Sequence, residues 1–173
     1  MILNLIGYMA SGKSTIGRIL ADKLNYEFLD LDDYIESKEH MSVRAIFKSK
    51  GEIYFRKAET KYLKDLLETQ ENLILSLGGG TPCYNNNMNL ILESDNANAV
   101  YLKASIPTLV NRLKNEKSKR PLIAHIESDD VLTEFIGKHL FERAPFYNMA
   151  NLTITTDNKG ESEIADELVD KLF

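Results

Sequence analysis

The chain has 173 residues, a length typical of one globular domain with a sizeable core. Hydrophobic residues make up 43% and charged residues 27%, as in ordinary globular proteins, and a net charge of −5 disfavours nonspecific nucleic-acid binding. The single cysteine, Cys83, excludes an internal disulfide, and there is neither a bilayer-spanning apolar run nor a signal-peptide pattern, so we expect a cytoplasmic protein.

The first predicted elements are a strand, a glycine loop and a helix. A buried-type apolar run, residues 2–6, leads directly into Gly7-Tyr8-Met9-Ala10-Ser11-Gly12-Lys13-Ser14-Thr15. This stretch fits the phosphate-loop pattern of Gly, four free residues, then Gly-Lys-Ser/Thr. Apolar residues at helical spacing follow, from position 16 to position 24. The order of elements is the one that triphosphate binding requires.

The chemistry of such a loop explains its residue types. Glycines let successive backbone N–H groups converge on phosphate oxygens, and the helix N-terminus adds partial positive charge. We expect Lys13 to reach the β- and γ-phosphates and Ser14 to bind Mg²⁺. The alternative is a plain Gly/Ser turn between a strand and a helix. We expect the backbone and side chains of the loop to bind ATP, at Gly7, Ala10, Ser11, Gly12, Lys13, Ser14 and Thr15.

The rest of the chain alternates between predicted strands and helices. Further strands are predicted at 26–33, 73–77, 99–102 and 152–155. Helices are predicted at 34–39, 41–50 and 52–69, shortly after 85–89, from about 107, from 129 to near Pro145, and at 164–172. The alternation favours a single domain, 1–173, with a parallel sheet in a three-layer α/β/α sandwich. The polar, basic stretch 114–125 interrupts the pattern and is interpreted as a mobile lid.

Ligands of open α/β sheets bind beyond the carboxyl ends of the strands, so residues at those positions are site candidates. Asp30 and Asp32 end the second predicted strand, and either or both could organise a metal ion. They could instead only cap the following helix. Gly78, Gly79 and Gly80 follow the third strand, where they allow close backbone approach to a ligand, although they could also form a plain turn.

Three arginines complete the candidate set. The guanidinium group is a planar fork that matches carboxylate and phosphate oxygens. Arg56 lies on the helix 52–69, three residues before Glu59; Arg120 lies in the predicted lid; and Arg143 ends the helix before Pro145. Taken singly, an arginine in each of these positions is more often structural than functional.

Taken together, these motifs resemble the shikimate kinase family over nearly the whole chain. The motifs appear in the family order: the phosphate loop, Leu29-Asp30-Leu31-Asp32, Phe55-Arg56-Lys57-Ala58-Glu59, Ser76-Leu77-Gly78-Gly79-Gly80, Arg120-Pro121-Leu122 and Glu142-Arg143-Ala144-Pro145-Phe146-Tyr147. The resemblance implies a five-stranded parallel sheet of order 2-3-1-4-5 and a substrate-binding region at about 31–60. It also implies transfer of the ATP γ-phosphate to the 3-hydroxyl of shikimate, in aromatic amino-acid biosynthesis, by a monomer that binds neither nucleic acid nor membrane.

The resemblance also implies residue roles. Asp32 contacts the ring hydroxyls, Arg56 and Arg143 hold the carboxylate, and Arg120 closes over the phosphates. Mg²⁺ is bound directly by Ser14 and through water by Asp30 and Ser76. The other implied contacts are Arg112 near adenine, the backbone at Gly78, Gly79 and Gly80 around the substrate, Glu59 positioning the arginines, and Phe47 and Phe55 walling the pocket. Ala10 departs from the family, which commonly has Gly there, and we expect little consequence.

On this interpretation Lys13, Asp32 and Arg120 are the catalytic residues, since phosphoryl transfer needs positioning and charge stabilisation. Two other functions stay open on the residues alone. One is a different small-molecule kinase of this fold, for gluconate or a nucleotide. The other is a noncatalytic ligand-sensing domain, which would not need to retain the transferring groups Lys13, Asp32 and Arg120.

Overall fold

The computed structural model describes residues 1–173 and contains a five-stranded parallel sheet of order β2-β3-β1-β4-β5. The strands are β1 (Ile2–Ile6), β2 (Glu27–Asp30), β3 (Leu73–Ser76), β4 (Ala97–Lys103) and β5 (Leu152–Thr155). The helices are α1 (Lys13–Leu24), α2 (Leu31–Glu39), α3 (Val43–Lys50), α4 (Glu52–Thr69), α5 (Asn87–Leu92), α6 (Ile106–Leu113), α7 (Asp129–Tyr147) and α8 (Glu161–Leu172). The predicted fold class and strand order are confirmed.

The sheet is buried on both faces, as side chains of the central strand show. Alternate residues of β1 point to opposite faces, so Ile2 and Ile6 enter one apolar cluster while Leu3 and Leu5 enter another. Helices α4, α5, α6 and α7 cover the first face, and α1 and α8 cover the second. Near-continuous apolar strands of this kind are what a parallel sheet between two helical layers requires.

The predicted boundary after β2 is wrong by three residues. The strand was predicted to run through position 33, but it ends at Asp30 and α2 begins at Leu31. The side chain of Asp30 accepts a hydrogen bond from the backbone N–H of Asp32 at 3.0 Å and so caps the helix. The cap starts the helix early, which moves Asp32 from a strand end into the first helical turn.

The predicted end of α7 is also wrong. Pro145 was expected to stop the helix, but the helix continues to Tyr147. The proline is exposed and lies in the last turn, where its missing N–H removes a single hydrogen bond. The Asn148 N–H donates to the Ala144 carbonyl at 2.9 Å, so the turn closes around the proline. The extension brings Tyr147 into the core.

The stretch 114–125, predicted to be a lid, contains a 3₁₀ turn at Lys117–Lys119 and is otherwise irregular. Ile123 and, just beyond it, Ile126 are buried, so the stretch is anchored at its C-terminal end. Its lysines are largely exposed. No helix of the chain combines the length and the apolar character needed to cross a membrane.

Candidate active site

The glycine loop between β1 and α1 depends on backbone conformations that side chains rarely adopt. Gly7 has φ 149°, and a Cβ there would lie 2.7 Å from the Leu102 carbonyl oxygen. Gly12, the N-cap of α1, has φ 95°. Ala10 also has a positive φ, 63°, which costs an alanine about 1 kcal/mol relative to glycine. The loop therefore takes a tightly curved shape that depends on these positive φ angles, with some strain at Ala10.

Lys13 lies inside this loop. Its ammonium donates to the carbonyl oxygens of Gly7 at 2.8 Å and Tyr8 at 3.0 Å. Burial lowers the pKa of Lys13 to about 8; Asp30 opposes the shift, and the positive charges of Arg120 and Arg143 add to it. Three positive charges close enough to interact favour an anionic ligand at this point of the cleft.

A set of oxygen atoms meets beside the loop. The Ser14 hydroxyl donates to an Asp30 carboxylate oxygen at 3.2 Å and lies 3.5 Å from the Ser76 hydroxyl. Asp30 and Ser76 are paired in register on adjacent strands, and Ser14 opens α1. The chain contains no cluster of three or more His, Cys, Asp or Glu side chains that could form a metal site by itself. One carboxylate with two hydroxyls suits a hard cation that keeps waters and phosphate oxygens as ligands.

Asp32 faces the triple-glycine segment across the cleft. A Cβ at Gly78 would lie 3.4 Å from an Asp32 carboxylate oxygen. Burial raises the pKa of Asp32 to about 7, with further contributions from the carboxylates of Asp30 and Glu59, while Arg56 opposes the shift. A carboxyl group with a pKa near neutrality is suited to accept a proton from a hydroxyl.

Arg56 is held by a buried carboxylate. Its Nη1 donates to Glu59 at 2.9 Å, and the Thr81 hydroxyl donates to the other Glu59 oxygen at 2.6 Å. The Glu59 side chain is 1% exposed, so both of its oxygens depend on these partners. Asn87 extends the network by donating to the Thr81 carbonyl at 2.9 Å.

The two predicted carboxylate-binding arginines approach adjacent glycines of one segment. A Cβ at Gly80 would lie 2.9 Å from Nη2 of Arg56, and one at Gly79 would lie 2.8 Å from Nη1 of Arg143. Any side chain at either position would displace a guanidinium. The Tyr147 hydroxyl donates to the Gly79 carbonyl at 2.6 Å and fixes the segment from the α7 side.

The remaining arginines lie on the nucleotide side. Arg112, near the end of α6, donates from Nη1 to the Ala10 carbonyl at 2.9 Å. Arg120 bonds Glu116 through Nε at 3.3 Å and Nη2 at 3.2 Å. This pair is partly exposed, and such pairs contribute little to stability, so Arg120 can leave Glu116 at small cost.

A single cleft of about 710 Å³ unites these groups. Every predicted site residue except Gly7 lines it, including the aromatic pair Phe47 and Phe55, whose ring centroids are 4.7 Å apart. Gly7, the first residue of the loop, is buried. The structure therefore brings together predicted residues that are up to 133 positions apart, from Ala10 to Arg143.

Several residues of the site were not predicted. Lys159 and Glu161 also line the cleft, beyond the end of β5, and the rule about strand ends could have indicated them. Thr81 and Tyr147 donate hydrogen bonds to Glu59 and to the Gly79 carbonyl, and Asn87 donates to the Thr81 carbonyl. Tyr147 stands in the motif at 142–147, but no local pattern indicated that these side chains make those contacts.

Comparisons with known proteins agree with this geometry. The family model for shikimate kinase matches residues 9–173. A shikimate kinase from Flavobacterium johnsoniae is 49% identical over 97% of this chain and 96% of its own length. The crystal structure of shikimate kinase from Bacteroides thetaiotaomicron superposes with a TM-score of 0.89 at 36% identity, covering 99% of this chain and 98% of that one. Shikimate kinase from Acinetobacter baumannii, solved in complex with shikimate, gives a TM-score of 0.85 at 31% identity, covering 99% and 92%.

Proposed function

The chain belongs to the shikimate kinase family, and on that premise we propose how its cleft transfers the γ-phosphate of ATP to the 3-hydroxyl of shikimate. The observation that carries the proposal is the arrangement of two arginines on either side of one glycine segment. Arg143 lies against the position where a Gly79 side chain would be, Arg56 lies against that of Gly80, and Asp32 faces Gly78. A carboxylate and a hydroxyl of one small molecule can be held there together, in the same cleft as the phosphate loop.

On the nucleotide side, the loop N–H groups and Lys13 hold the β- and γ-phosphates. Lys13 exchanges its contacts with the Gly7 and Tyr8 carbonyls for phosphate oxygens. Arg112, fixed to the Ala10 carbonyl, lies where it can contact the base. Arg120 leaves Glu116 and adds positive charge to the transferring group when the stretch 114–125 closes.

A kinase of this family uses a divalent metal ion with ATP, and we propose that the metal is Mg²⁺. Ser14 would bind it directly, and Asp30 and Ser76 would contact it through water, which is consistent with the close approach of their oxygens. When bound, the ion would offset the negative charge of the phosphates.

On the acceptor side, Arg56 and Arg143 grip the carboxylate, and Asp32 orients the hydroxyl and accepts its proton. The ionised form of Asp32 is needed, and its approach to Arg56 and to the shikimate hydroxyls favours that form. Phe47 and Phe55 form an apolar wall beside the ring. Closure of the stretch 114–125 excludes water, which would otherwise accept the phosphoryl group.

A coupled assay of ADP release tests the assignment with three acceptors. We expect turnover with shikimate and ATP that requires Mg²⁺, and at most background rates with gluconate and nucleoside monophosphates. Equal rates with gluconate would assign the two arginines to a different carboxylate. No turnover with any acceptor, despite ATP binding, would instead indicate a ligand-sensing domain. We propose that the active species is a monomer, because the residues proposed to contact ATP and shikimate form one cleft within a single chain; light scattering checks this.

A further inference from the structure

Tyr84 is an exposed aromatic residue beside the proposed carboxylate site. It follows the 3₁₀ turn Thr81–Cys83, and its ring centroid lies 3.9 Å from Cζ of Arg56. A guanidinium this close to a ring centroid is stacked on the ring. The Phe55 ring lies farther from the same group, at 5.3 Å. Tyr84 does not line the cleft, whereas Arg56 does, so the tyrosine contacts the arginine from outside the substrate space.

The position of the ring is fixed by its neighbours. Asn85 donates to the Arg56 carbonyl at 3.1 Å and lies 3.4 Å from the Thr60 hydroxyl. The Thr60 hydroxyl in turn donates to Asn87 at 2.9 Å. None of these bonds uses the Tyr84 hydroxyl. The segment that carries Tyr84 is therefore tied to the turn of α4 that carries Arg56, and the ring contributes only its face.

Stacking leaves hydrogen-bond donors of Arg56 available. Glu59 occupies Nη1, but Nε is buried without a hydrogen-bond partner, and the carboxylate of Glu52 lies 3.8 Å away. A buried, unpartnered N–H beside a cleft is a donor available to a ligand. A ring that restrains the long side chain without using its donors lowers the entropy lost when a carboxylate binds.

We propose that Tyr84 is a positioning residue for acceptor binding, which stacks on Arg56 and holds its guanidinium in the orientation that receives the shikimate carboxylate. The inference rests on the proposed role of Arg56. The Tyr84 side chain should affect only the affinity for the acceptor, because it touches neither the nucleotide side of the cleft nor Asp32.

The test compares Tyr84→Ala, Tyr84→Leu and Tyr84→Phe in steady-state assays with shikimate and ATP. We expect the Ala and Leu variants to raise KM for shikimate about three- to tenfold, with kcat and KM for ATP unchanged. The Phe variant keeps the ring and should match the parent. Tyr54→Ala is the matched control: Tyr54 has the same 38% exposure as Tyr84 and also contacts a cation, but the cation is Lys50, at 4.4 Å.

A double-mutant cycle separates positioning from general packing. In an Arg56→Ala background, Tyr84→Ala should change KM for shikimate by less than twofold, because the group that it positions is gone. An unchanged KM in Tyr84→Ala, the same loss in the Arg56→Ala background, or a loss in kcat instead of KM would each overturn the inference. Should Tyr84→Ala fold poorly, the Leu variant gives the same comparison. A parent enzyme that does not phosphorylate shikimate would refute the proposed function itself, which is a different result.

Discussion

The two sides of the cleft are built in different ways. The nucleotide side comes mainly from one continuous stretch, residues 7–15, whose shape is set by backbone conformation at Gly7, Ala10 and Gly12. The acceptor side is assembled from α2, α4, the segment after β3 and α7, which meet only in the folded chain. One side is a local motif, and the other is a network of side chains from distant elements.

The difference has an energetic consequence. Lys13 bonds carbonyls of a loop whose shape is set by its own backbone conformation, so we expect its removal to leave the core intact. Glu59 bonds both Arg56 and Thr81 and is almost fully buried, so a change on the acceptor side leaves unpaired buried groups. We therefore expect substitutions on the nucleotide side to affect rate alone, and those on the acceptor side to affect binding, stability and one another.

The largest effect is expected on the nucleotide side, for Lys13→Ala. Loss of the ammonium should lower kcat by about a thousandfold or more, because it removes a positive charge that acts on the transferring phosphate. The melting temperature should not fall, since burial already lowers the pKa of Lys13 and charging it costs free energy. Stopped assays and thermal unfolding measure the two quantities.

Lys23→Ala is the control for that experiment, because Lys23 lies in the last turn of the same helix and pairs with Asp166 at 2.8 Å, outside the cleft. It should retain full activity. A Lys13→Ala enzyme that is as active as the parent would refute the assignment of residues 7–15 as a phosphate loop.

Arg120→Ala comes next, with an expected loss in kcat of about a hundred- to a thousandfold. KM for shikimate should change little, since Arg120 contacts Glu116 and not the acceptor side. An interaction made mainly in the transition state appears in kcat. Lys114→Ala, an exposed cation of the same stretch that does not line the cleft, should behave as the parent. A raised KM for shikimate with a normal kcat would show that Arg120 acts on the acceptor side of the cleft and would contradict this prediction.

The features that could be predicted from the sequence divide in the same way, between the local motif of the nucleotide side and the side-chain network of the acceptor side. The loop 7–15 was correctly placed between a strand and a helix, because a contiguous motif and apolar periodicity are local signals. The strand order, which is confirmed, was implied by the family resemblance and not by the periodicity. Asp30 was predicted either to organise a metal ion or to cap the following helix, and its side chain does cap α2; the early start of α2, which places Asp32 inside the helix, was not foreseen. The bonds from Thr81 to Glu59 and from Tyr147 to Gly79 join residues 22 and 68 positions apart, and no local pattern encodes such pairs.

Arg56→Ala and Arg143→Ala test whether the acceptor side behaves as a network. Each should weaken kcat/KM for shikimate by about 2–4 kcal/mol, because a charge-assisted hydrogen bond in a desolvated site is lost. The double variant should lose less than the sum, because the two arginines share one carboxylate. Steady-state kinetics of all four enzymes give the coupling energy.

An acceptor that lacks the carboxylate provides the control for that cycle. Against it, the parent and the single variants should differ much less than they do with shikimate. Losses as large as those with shikimate would show that the arginines stabilise the fold of the site and do not grip the acceptor.

The smallest expected effect is on the stability of the protein without ligands, and it concerns Asp32. Its pKa is raised from 3.8 to about 7, first by burial and then by the carboxylates of Asp30 and Glu59. The folded state therefore binds this proton more tightly than the unfolded state does. The stabilisation is fully present below pH 4, declines as the pH rises, and is lost above about pH 7.

Asp32→Asn, which mimics the protonated carboxyl, should thus be more stable than the parent at pH 8 by about 1–3 kcal/mol, and the gain should shrink towards pH 5. The same variant should lose phosphoryl transfer at every pH, since an amide cannot accept the proton. Denaturant unfolding at the two pH values measures the gain. Asp33→Asn is the matched control, because Asp33 lies in the same helical turn with an exposed side chain, so it shares any interaction with the helix dipole but not the burial. If the two variants show the same pH dependence, the acceptor side does not hold Asp32 under electrostatic strain, and the contrast between the two sides of the cleft is limited to how their residues are assembled.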